Sequence, residues 1–321
     1  MLTLVRVVAA LTAVAFSAVL HAQAFPNKPL RLVVPFPPGG GTDILGRILA
    51  NKLSETLGQP VIVDNRPGGG GIIGSEIVAK SSPDGHTLLL SSASHAINPS
   101  VYRKLPYDTL RDFSTVSQVA TVPIILVVNP LLPVNSVQDL IAYAKSKPGE
   151  LNVAASTSGS VFHLAAELLK STAGIDMVYV PFKGASPAVA ALLANQVNVL
   201  FETPLTIVPH AKSGKLRMLA VGSLKRVSTM PELPTMAQSG FPEFNVENWY
   251  GLYARAGTPK AIIDRLNRDI VNALNQPDVR ERFASQGAEL IGNTPEQHDK
   301  FLKAEMAKWA RIARLADARA D

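Results

Sequence analysis

Short apolar runs alternate along most of the chain with longer segments in which apolar residues recur every three or four positions. Residues 30–34 form the first run, and the segment after it carries an apolar stripe made of Ile44, Leu45, Ile48, Leu49, Leu53 and Leu57. Such runs are typical of buried strands, and the three-to-four spacing is typical of amphipathic helices. The alternation of the two predicts an α/β fold with parallel sheets that helices cover on both faces.

The same pattern extends almost to the end of the sequence. Strands are predicted at 30–34, 61–63, 87–91, 122–128, 151–155, 176–180, 197–201, 216–221 and 249–254. Further helices are predicted at 136–147, 160–170, 186–195, 205–213, 259–276, 277–286 and 295–317. The chain crosses between two groups of elements near 121–123 and 223–230. We therefore expect two hinged α/β lobes, one formed by 25–122 with 224–321 and the other by 123–223.

The first 24 residues have the pattern of a secretory signal. Arg6 is the only charged residue before Lys28, residues 7–20 are almost wholly apolar, and Ala22-Gln23-Ala24 fits an A-x-A cleavage site. An apolar run of about 14 residues suits a signal peptide better than a membrane span. We expect cleavage after Ala24 and export to the periplasm, which leaves 321 − 24 = 297 residues.

The composition and charge of the chain exclude some classes of function. The chain has no cysteine, which excludes disulfides and thiolate metal sites, and its length suits two domains. The net charge is +6, but the basic residues are scattered and are not interleaved with aromatic residues, so nothing indicates nucleic-acid binding. A mildly positive surface favours small anionic molecules.

Two glycine-rich stretches follow predicted strands. The first, VPFPPGGGTD, spans residues 34–43, and the second, DNRPGGGGIIG, spans residues 64–74. A glycine-rich loop before a helix exposes backbone N–H groups, and the positive end of the helix dipole then favours an anion. In the first loop this interpretation makes Gly39, Gly40, Gly41 and Thr42 hydrogen-bond donors, while Asp43 caps the helix.

Three classes of ligand compete for these loops. The G-x-x-x-x-G-K-[ST] motif of nucleotide-hydrolysing proteins does not occur. The second stretch satisfies G-x-G-x-x-G, yet residues 65–67 separate it from the strand and no acidic residue follows at the spacing of dinucleotide-binding proteins. A carboxylate-sized anion fits best. Tight turns without a ligand are the alternative, above all for the second stretch.

A hydroxyl-rich stretch precedes a predicted helix in the second lobe. It reads STSGS from Ser156 to Ser160, and His163 lies in the first turn of the helix. Hydroxyl and N–H groups at a helix N-terminus suit a second carboxylate. His163 and Glu167 have the spacing of a metal pair but lack a third ligand, and no G-x-S-x-G motif supports a hydrolase. His163 therefore either anchors the loop or contacts the ligand, and we expect no catalytic residue, no metal and no cofactor.

Several motifs occur in an order that resembles one family. They are VPFPPGGGTDILGRILANKL, IVDNRPGGGGIIGSEIVAKSSPDGHTLL, INPSVY, FHLAAELLKSTAGIDMVYVPFKGASPAVAALLANQVNVLF and PHAKSGKLRMLAVGSLKR. From Phe25 to the C-terminal helix the chain resembles the tripartite tricarboxylate transporter substrate-binding proteins, also called Bug proteins. The resemblance implies a two-lobed class II periplasmic-binding-protein fold. It has two mixed, mostly parallel sheets flanked by helices and binds its ligand in the cleft between the lobes.

The resemblance also implies which residues bind the ligand. They are Phe36, Pro38, Gly39, Gly40, Thr42, Asp43, Ser92, Ser156, Thr157, Ser158, Ser160, His163 and Glu202. The loop at 92–95 is expected to face the cleft. Glu202 is a departure, because the segment LFETPLTIVPH has glutamate where family members usually have aspartate. The longer side chain could hold a cation or an amino group, or it could reject bulkier acids.

We therefore expect a periplasmic receptor that binds a small organic carboxylate and delivers it to the permease subunits of a membrane transporter. It is expected to be a monomer, to bind no nucleic acid and to catalyse no reaction. A ligand-dependent interaction protein that signals to a membrane sensor is the alternative, since it would use the same pocket.

Overall fold

A computed structural model describes residues 25–155, 159–285 and 287–319. The predicted signal sequence and residues 156–158 of the hydroxyl-rich stretch lie outside the described residues. None of the helices in the described ranges combines the length and the apolar character needed to span a bilayer.

Two sheets form the centres of the two lobes. The strands are β1 (Leu30–Val34), β2 (Val61–Asn65), β3 (Thr87–Ser92), β4 (Phe113–Pro123), β5 (Ile125–Val128), β6 (Asn152–Ala155), β7 (Val178–Pro181), β8 (Val199–Glu202), β9 (Arg217–Val221), β10 (Glu247–Arg255) and β11 (Glu289–Leu290). The first sheet has the order β11-β4-β10-β3-β1-β2, and the second has the order β7-β6-β8-β5-β9. The first sheet thus takes strands from both ends of the described chain, and the second takes them from its middle.

Helices cover both sheets. They are α1 (Gly41–Leu57), α2 (Ile72–Ala79), α3 (Ser94–Val101), α4 (Val137–Ser146), α5 (Val161–Ala173), α6 (Ala185–Leu193), α7 (Pro204–Lys212), α8 (Lys260–Leu274), α9 (Pro277–Ser285) and α10 (Pro295–Leu315). The last helix packs on α3 and β4 of the first lobe and also on α5 of the second. The Ser171 hydroxyl on α5 donates a hydrogen bond of 3.2 Å to the carbonyl of Leu315. The C-terminal helix therefore contacts both lobes.

Both sheets are mixed, as expected, but parallel pairs do not outnumber antiparallel pairs in either sheet. β1 is parallel to β2 and β3, and β6 is parallel to β7 and β8, as strand–helix–strand connections require. β10 is antiparallel to β3 and β4, and β5 is antiparallel to β8 and β9. The antiparallel strands adjoin the points where the chain passes between the lobes, and antiparallel pairs need no crossover helix.

The parallel strands determine where the helices begin. α1 and α3 follow β1 and β3 in the first lobe, and α5, α6 and α7 follow β6, β7 and β8 in the second. All five N-termini therefore lie at the carboxyl ends of parallel strands. In open α/β sheets, ligands bind at this edge.

Candidate ligand-binding site

A cleft separates the two lobes at the carboxyl ends of these strands. Its lining residues are Phe36, Pro37, Pro38, Gly40, Gly41, Thr42, Ser92, Ser94, Asn248 and Tyr250 from the first lobe and Ser160, Val161, Phe162, Lys183, Gly184, Ala185, Ser186, Pro187, Glu202 and Thr203 from the second. The cleft has a volume of about 100 Å³. A single water needs only about 10–15 Å³, so there is room for several atoms of a ligand. The cleft therefore fits a small organic molecule.

Five helices begin at the cleft. Their N-cap residues are Gly40, Ala93, Ser160, Gly184 and Thr203. The first-turn N–H groups of a helix have no acceptor within the helix, and the helix dipole places partial positive charge at the same end. Five such ends around one cleft form a site for a negatively charged group without a basic side chain.

The first glycine loop is held in shape by Asp43, whose side chain is 4% exposed. Its carboxylate accepts hydrogen bonds from the Gly39 N–H at 2.9 Å, the Arg47 Nε at 3.1 Å and the Asn65 Nδ2 at 2.9 Å. Burial acts to raise the pKa of Asp43, but the hydrogen bonds from Arg47, Gly39 and Asn65 outweigh it and the pKa is lowered. A charged Asp43 therefore ties the loop to α1 and to the end of β2.

Of the residues predicted for the first loop, some line the cleft and others do not. Phe36, Pro38, Gly40 and Thr42 line the cleft. Gly39 and Asp43 are not among the described lining residues and bond to each other, so the Gly39 N–H is used by the protein itself. Asp43 is buried beside the loop, whereas Gly39 is exposed.

The loop before α5 is held in a similar way by His163. The Ser160 hydroxyl caps α5 by accepting from the His163 N–H at 3.4 Å, and the Gly159 N–H donates to His163 Nδ1 at 3.2 Å. The ring lies 4.2 Å from the ring of Tyr179. Burial and then the charge of Lys170 lower the pKa of His163 to about 4. Ser160 lines the cleft, whereas the neutral imidazole of His163 anchors the loop behind it.

Residues from both lobes meet on the floor of the cleft. Glu202 is 2% exposed, and its Oε1 accepts from the Thr203 N–H at 2.8 Å. Across from it, Asn248 Nδ2 donates to the Tyr250 hydroxyl at 3.1 Å. Burial and then the charge of Glu202 raise the pKa of Tyr250, so its phenol stays protonated. A Cβ on Gly41 would lie 2.6 Å from the Tyr250 hydroxyl oxygen, which leaves no room there for any side chain.

The lobes also touch at the rim of the cleft. A Cβ on Gly184 would lie 3.3 Å from Cγ of Pro37, and one on Gly39 would lie 3.8 Å from the Ser186 hydroxyl oxygen. The first glycine loop thus approaches the loop before α6. With contacts at both floor and rim, the cleft is closed in this structure.

The second glycine stretch has a different place. Asn98 Nδ2 donates to the Gly70 carbonyl at 3.2 Å, and a Cβ on Gly74 would lie 2.6 Å from Cβ of Pro35. These glycines let α2 approach the first loop closely. None of residues 64–74 is among the described residues that line the cleft, so the arrangement matches tight turns without a ligand.

Sequence reasoning did not select several lining residues. Thr203 and Gly184 immediately precede helices that follow parallel strands, so the strand–helix pattern was a signal for both. Asn248 had no such signal, whereas Ser94 belongs to the loop at 92–95 that was expected to face the cleft. His95, expected to face the cleft, instead packs 4.6 Å from the ring of Tyr253 in the core.

The charged and metal-binding groups of the site are few. Among the described lining residues, the basic side chain is that of Lys183, which is exposed at the rim. Within the described ranges no group of three or more His, Cys, Asp or Glu residues is placed to hold a metal ion. Recognition of an anion here therefore depends on backbone and hydroxyl groups.

A two-lobed α/β fold with an anion site in its cleft defines a solute-binding receptor. Residues 45–317 match the family described as the tripartite tricarboxylate transporter family receptor, and the chain belongs to this family. The resemblance seen in the sequence is thereby confirmed.

Individual proteins agree with this assignment. Protein BugT of Bordetella pertussis is 43% identical over 305 residues, which cover 94% of each chain. An R. palustris protein solved with adipate is 37% identical, with 92% of this chain and 99% of that chain covered and a TM-score of 0.89. MatC from Rhodopseudomonas palustris, solved with bound malate, is 32% identical, with 90% and 99% covered and a TM-score of 0.85. The two structures confirm the fold.

Proposed function

We propose that this receptor captures a small organic carboxylate between its lobes and delivers it to the permease of a tripartite tricarboxylate-type transporter. The observation that carries the proposal is the convergence of five helix N-termini on one small cleft. Such ends attract negative charge, and the size of the cleft limits the ligand to a small molecule.

The first-turn N–H groups of α1 and α5 are the main donors in this binding mode. Gly41 and Thr42 contribute from α1, the Ser92 hydroxyl lies in the same lobe, and the Ser160 hydroxyl lies in the opposite lobe. Hydrogen bonds to a charged acceptor contribute roughly 1.5–3 kcal/mol each. The predicted roles of Ser156, Thr157 and Ser158 belong to the same proposal.

The relatives support this class of ligand. Two structures similar to this chain contain adipate and malate, which are both organic acids. Both are small molecules, as the small volume of this cleft requires. We propose that the ligand of this chain belongs to the same class.

The cellular setting is also proposed. The predicted signal supports export to the periplasm, and the receptor family supports a membrane permease as the partner. The protein acts as a monomer and as a binding protein without catalysis. The supporting observation is that the titratable loop residues Asp43 and His163 lie behind the cleft wall.

A thermal-shift panel tests the proposal. The protein would be purified, unfolded and refolded to remove any bound ligand, and then heated with mono-, di- and tricarboxylates, amino acids and aromatic acids. A ligand at 100 times its Kd adds about 2.7 kcal/mol, which raises the Tm by about 4 °C for a protein of this size. The amides of the same acids serve as controls and are expected to give no shift. A Tm unchanged by every acid would overturn carboxylate capture.

A further inference from the structure

Glu202 is an acidic side chain in the wall of a cleft that otherwise favours anions. It is 2% exposed, and it is the last residue of β8, the middle strand of the second sheet. Its Oε1 accepts from the Thr203 N–H at 2.8 Å and from the Thr203 hydroxyl at 3.3 Å. These bonds hold the carboxylate at the N-terminus of α7, within the wall of the cleft.

The position of Glu202 gives the cleft two electrostatic sides. The positive end of α7 already faces the Glu202 carboxylate, so the ends of α1, α3, α5 and α6 remain for an anionic group of the ligand. On the other side, the described lining residues next to Glu202 on the floor, Thr203, Tyr250 and Asn248, are neutral. Lys183 is exposed at the rim, where solvent screens its charge.

The groups on the floor also stay neutral as the pH changes. Tyr250 accepts a hydrogen bond from Asn248, and burial followed by the charge of Glu202 raises its pKa. A ligand held against this floor therefore meets the negative charge of Glu202. Like charges at close range in a closed cleft repel strongly, whereas an opposite charge is attracted.

We propose that Glu202 makes the receptor selective for acids that carry an ammonium group, that is, for amino acids over unsubstituted acids of the same carbon skeleton. The carboxylate of the ligand lies at the four helix ends and its ammonium group faces Glu202. This inference rests on the proposed function, because it assigns the second half of the same site.

Isothermal titration calorimetry with matched ligands tests the inference. Each set shares one skeleton: L-aspartate, L-malate and succinate; L-glutamate and glutarate; L-2-aminoadipate and adipate; L-phenylalanine and 3-phenylpropionate. In the skeleton that binds tightest, the amino acid is expected to bind at least tenfold more tightly than the unsubstituted acid. Glu202→Gln is expected to reduce that ratio at least tenfold, because hydrogen bonds to a charged partner are about twice as strong as neutral ones.

Two features keep the test specific. Glu202→Gln retains a side-chain oxygen that accepts from the Thr203 N–H, so the Tm of the ligand-free variant reports whether the fold is kept. Glu167→Gln neutralises a carboxylate on α5 that pairs with Lys170 and is not among the described lining residues, and it is expected to leave the ratio unchanged.

The possible outcomes separate the two proposals. Equal or tighter binding of the unsubstituted acid, or an unchanged ratio in Glu202→Gln, would overturn the selectivity and leave carboxylate capture standing. Equal binding of malate and aspartate would also overturn it, because a neutral donor would then suffice. Folded wild-type protein that binds no acid at all would instead overturn the proposed function.

Discussion

Gly40→Val tests whether the ligand lies directly against the first glycine loop. Gly40 is the N-cap of α1 and has φ −82° and ψ 167°, a conformation that valine also adopts. A Cβ at this position has the Pro37 carbonyl oxygen, at 3.8 Å, as its nearest neighbour. The valine side chain therefore enters the cleft without a clash inside the protein.

The size of the effect follows from the room in the cleft. Valine adds three carbon atoms to a cleft of about 100 Å³, so a ligand that fills the cleft is displaced from the helix end. Loss of about two charge-assisted hydrogen bonds at roughly 1.5–3 kcal/mol each costs about 3–6 kcal/mol, or a factor of about 10²–10⁴ in Kd. The cost to the fold is smaller, about 1 kcal/mol for a poorer N-cap.

Calorimetry with the ligand found in the thermal-shift panel, together with the Tm of the ligand-free variant, measures both effects. Gly40→Ala is the matched control, because it weakens the N-cap similarly but adds only one carbon atom. It is expected to lose much less affinity than Gly40→Val at a similar Tm. If Gly40→Val binds within threefold of the wild type, the ligand does not lie at this loop and the reasoning is wrong.

Three other results are expected. Asp43→Ala removes a buried carboxylate that accepts hydrogen bonds from Gly39, Arg47 and Asn65, and should cost about 2–4 kcal/mol of stability in urea unfolding; a loss below about 0.5 kcal/mol would show that the loop does not depend on this anchor. Tyr250→Phe should weaken ligand binding about tenfold and lower the Tm by a few degrees, because the buried Asn248 side chain loses an acceptor; undiminished affinity would remove the hydroxyl from the site. Burial lowers the pKa values of His95 and His298 to about 3, so only the unfolded chain takes up their protons below about pH 6.5. Unfolding free energy should therefore fall by up to about 3 kcal/mol per pH unit between pH 6 and 4, and a flat profile would contradict neutral, buried rings.

The order of strands and helices could be predicted because each lobe repeats a strand–helix unit. β4 was missed because its polar residues hide the strand pattern. The Ser117 hydroxyl donates to the Asn293 carbonyl at 2.9 Å, and the Gln118 N–H donates to Asn293 Oδ1 at 2.8 Å. These partners lie more than 170 residues away in the chain, so no local pattern indicates that these polar groups are satisfied within a sheet.

The helix α3 was missed for a related reason. Pro99 lies inside it and lacks the N–H that would bond to the His95 carbonyl four residues earlier. The Thr109 hydroxyl donates to that carbonyl at 3.4 Å. A contact from the next segment thus offsets the proline, and the sequence around residues 94–101 does not show it.

The sequence predicted those parts of the candidate site that lie between a strand and the helix that follows it. Gly40 and Ser160 fall in this group, because each caps a helix after a parallel strand. Tyr250 and Asn248 lie on β10, which joins the first sheet from the far end of the chain, and the antiparallel register pairs Tyr250 with Ser92. Only that pairing brings them to the cleft.

On the side of the cleft that receives the ligand carboxylate, the groups that meet the ligand and the groups that titrate occupy different places. The helix ends at the cleft present N–H groups and dipoles, which have no pKa and keep their positive potential at any pH. Asp43 and His163 do titrate, but they are not lining residues and hold the two loops in shape. Acid should therefore act on this side of the site mainly through these anchors and the stability of the loops. The helix N-termini that bind the anion depend on the geometry of the loops before them. The cleft wall therefore needs glycines at its surface and the hydrogen-bonded side chains of Asp43 and His163 to hold the loops in place.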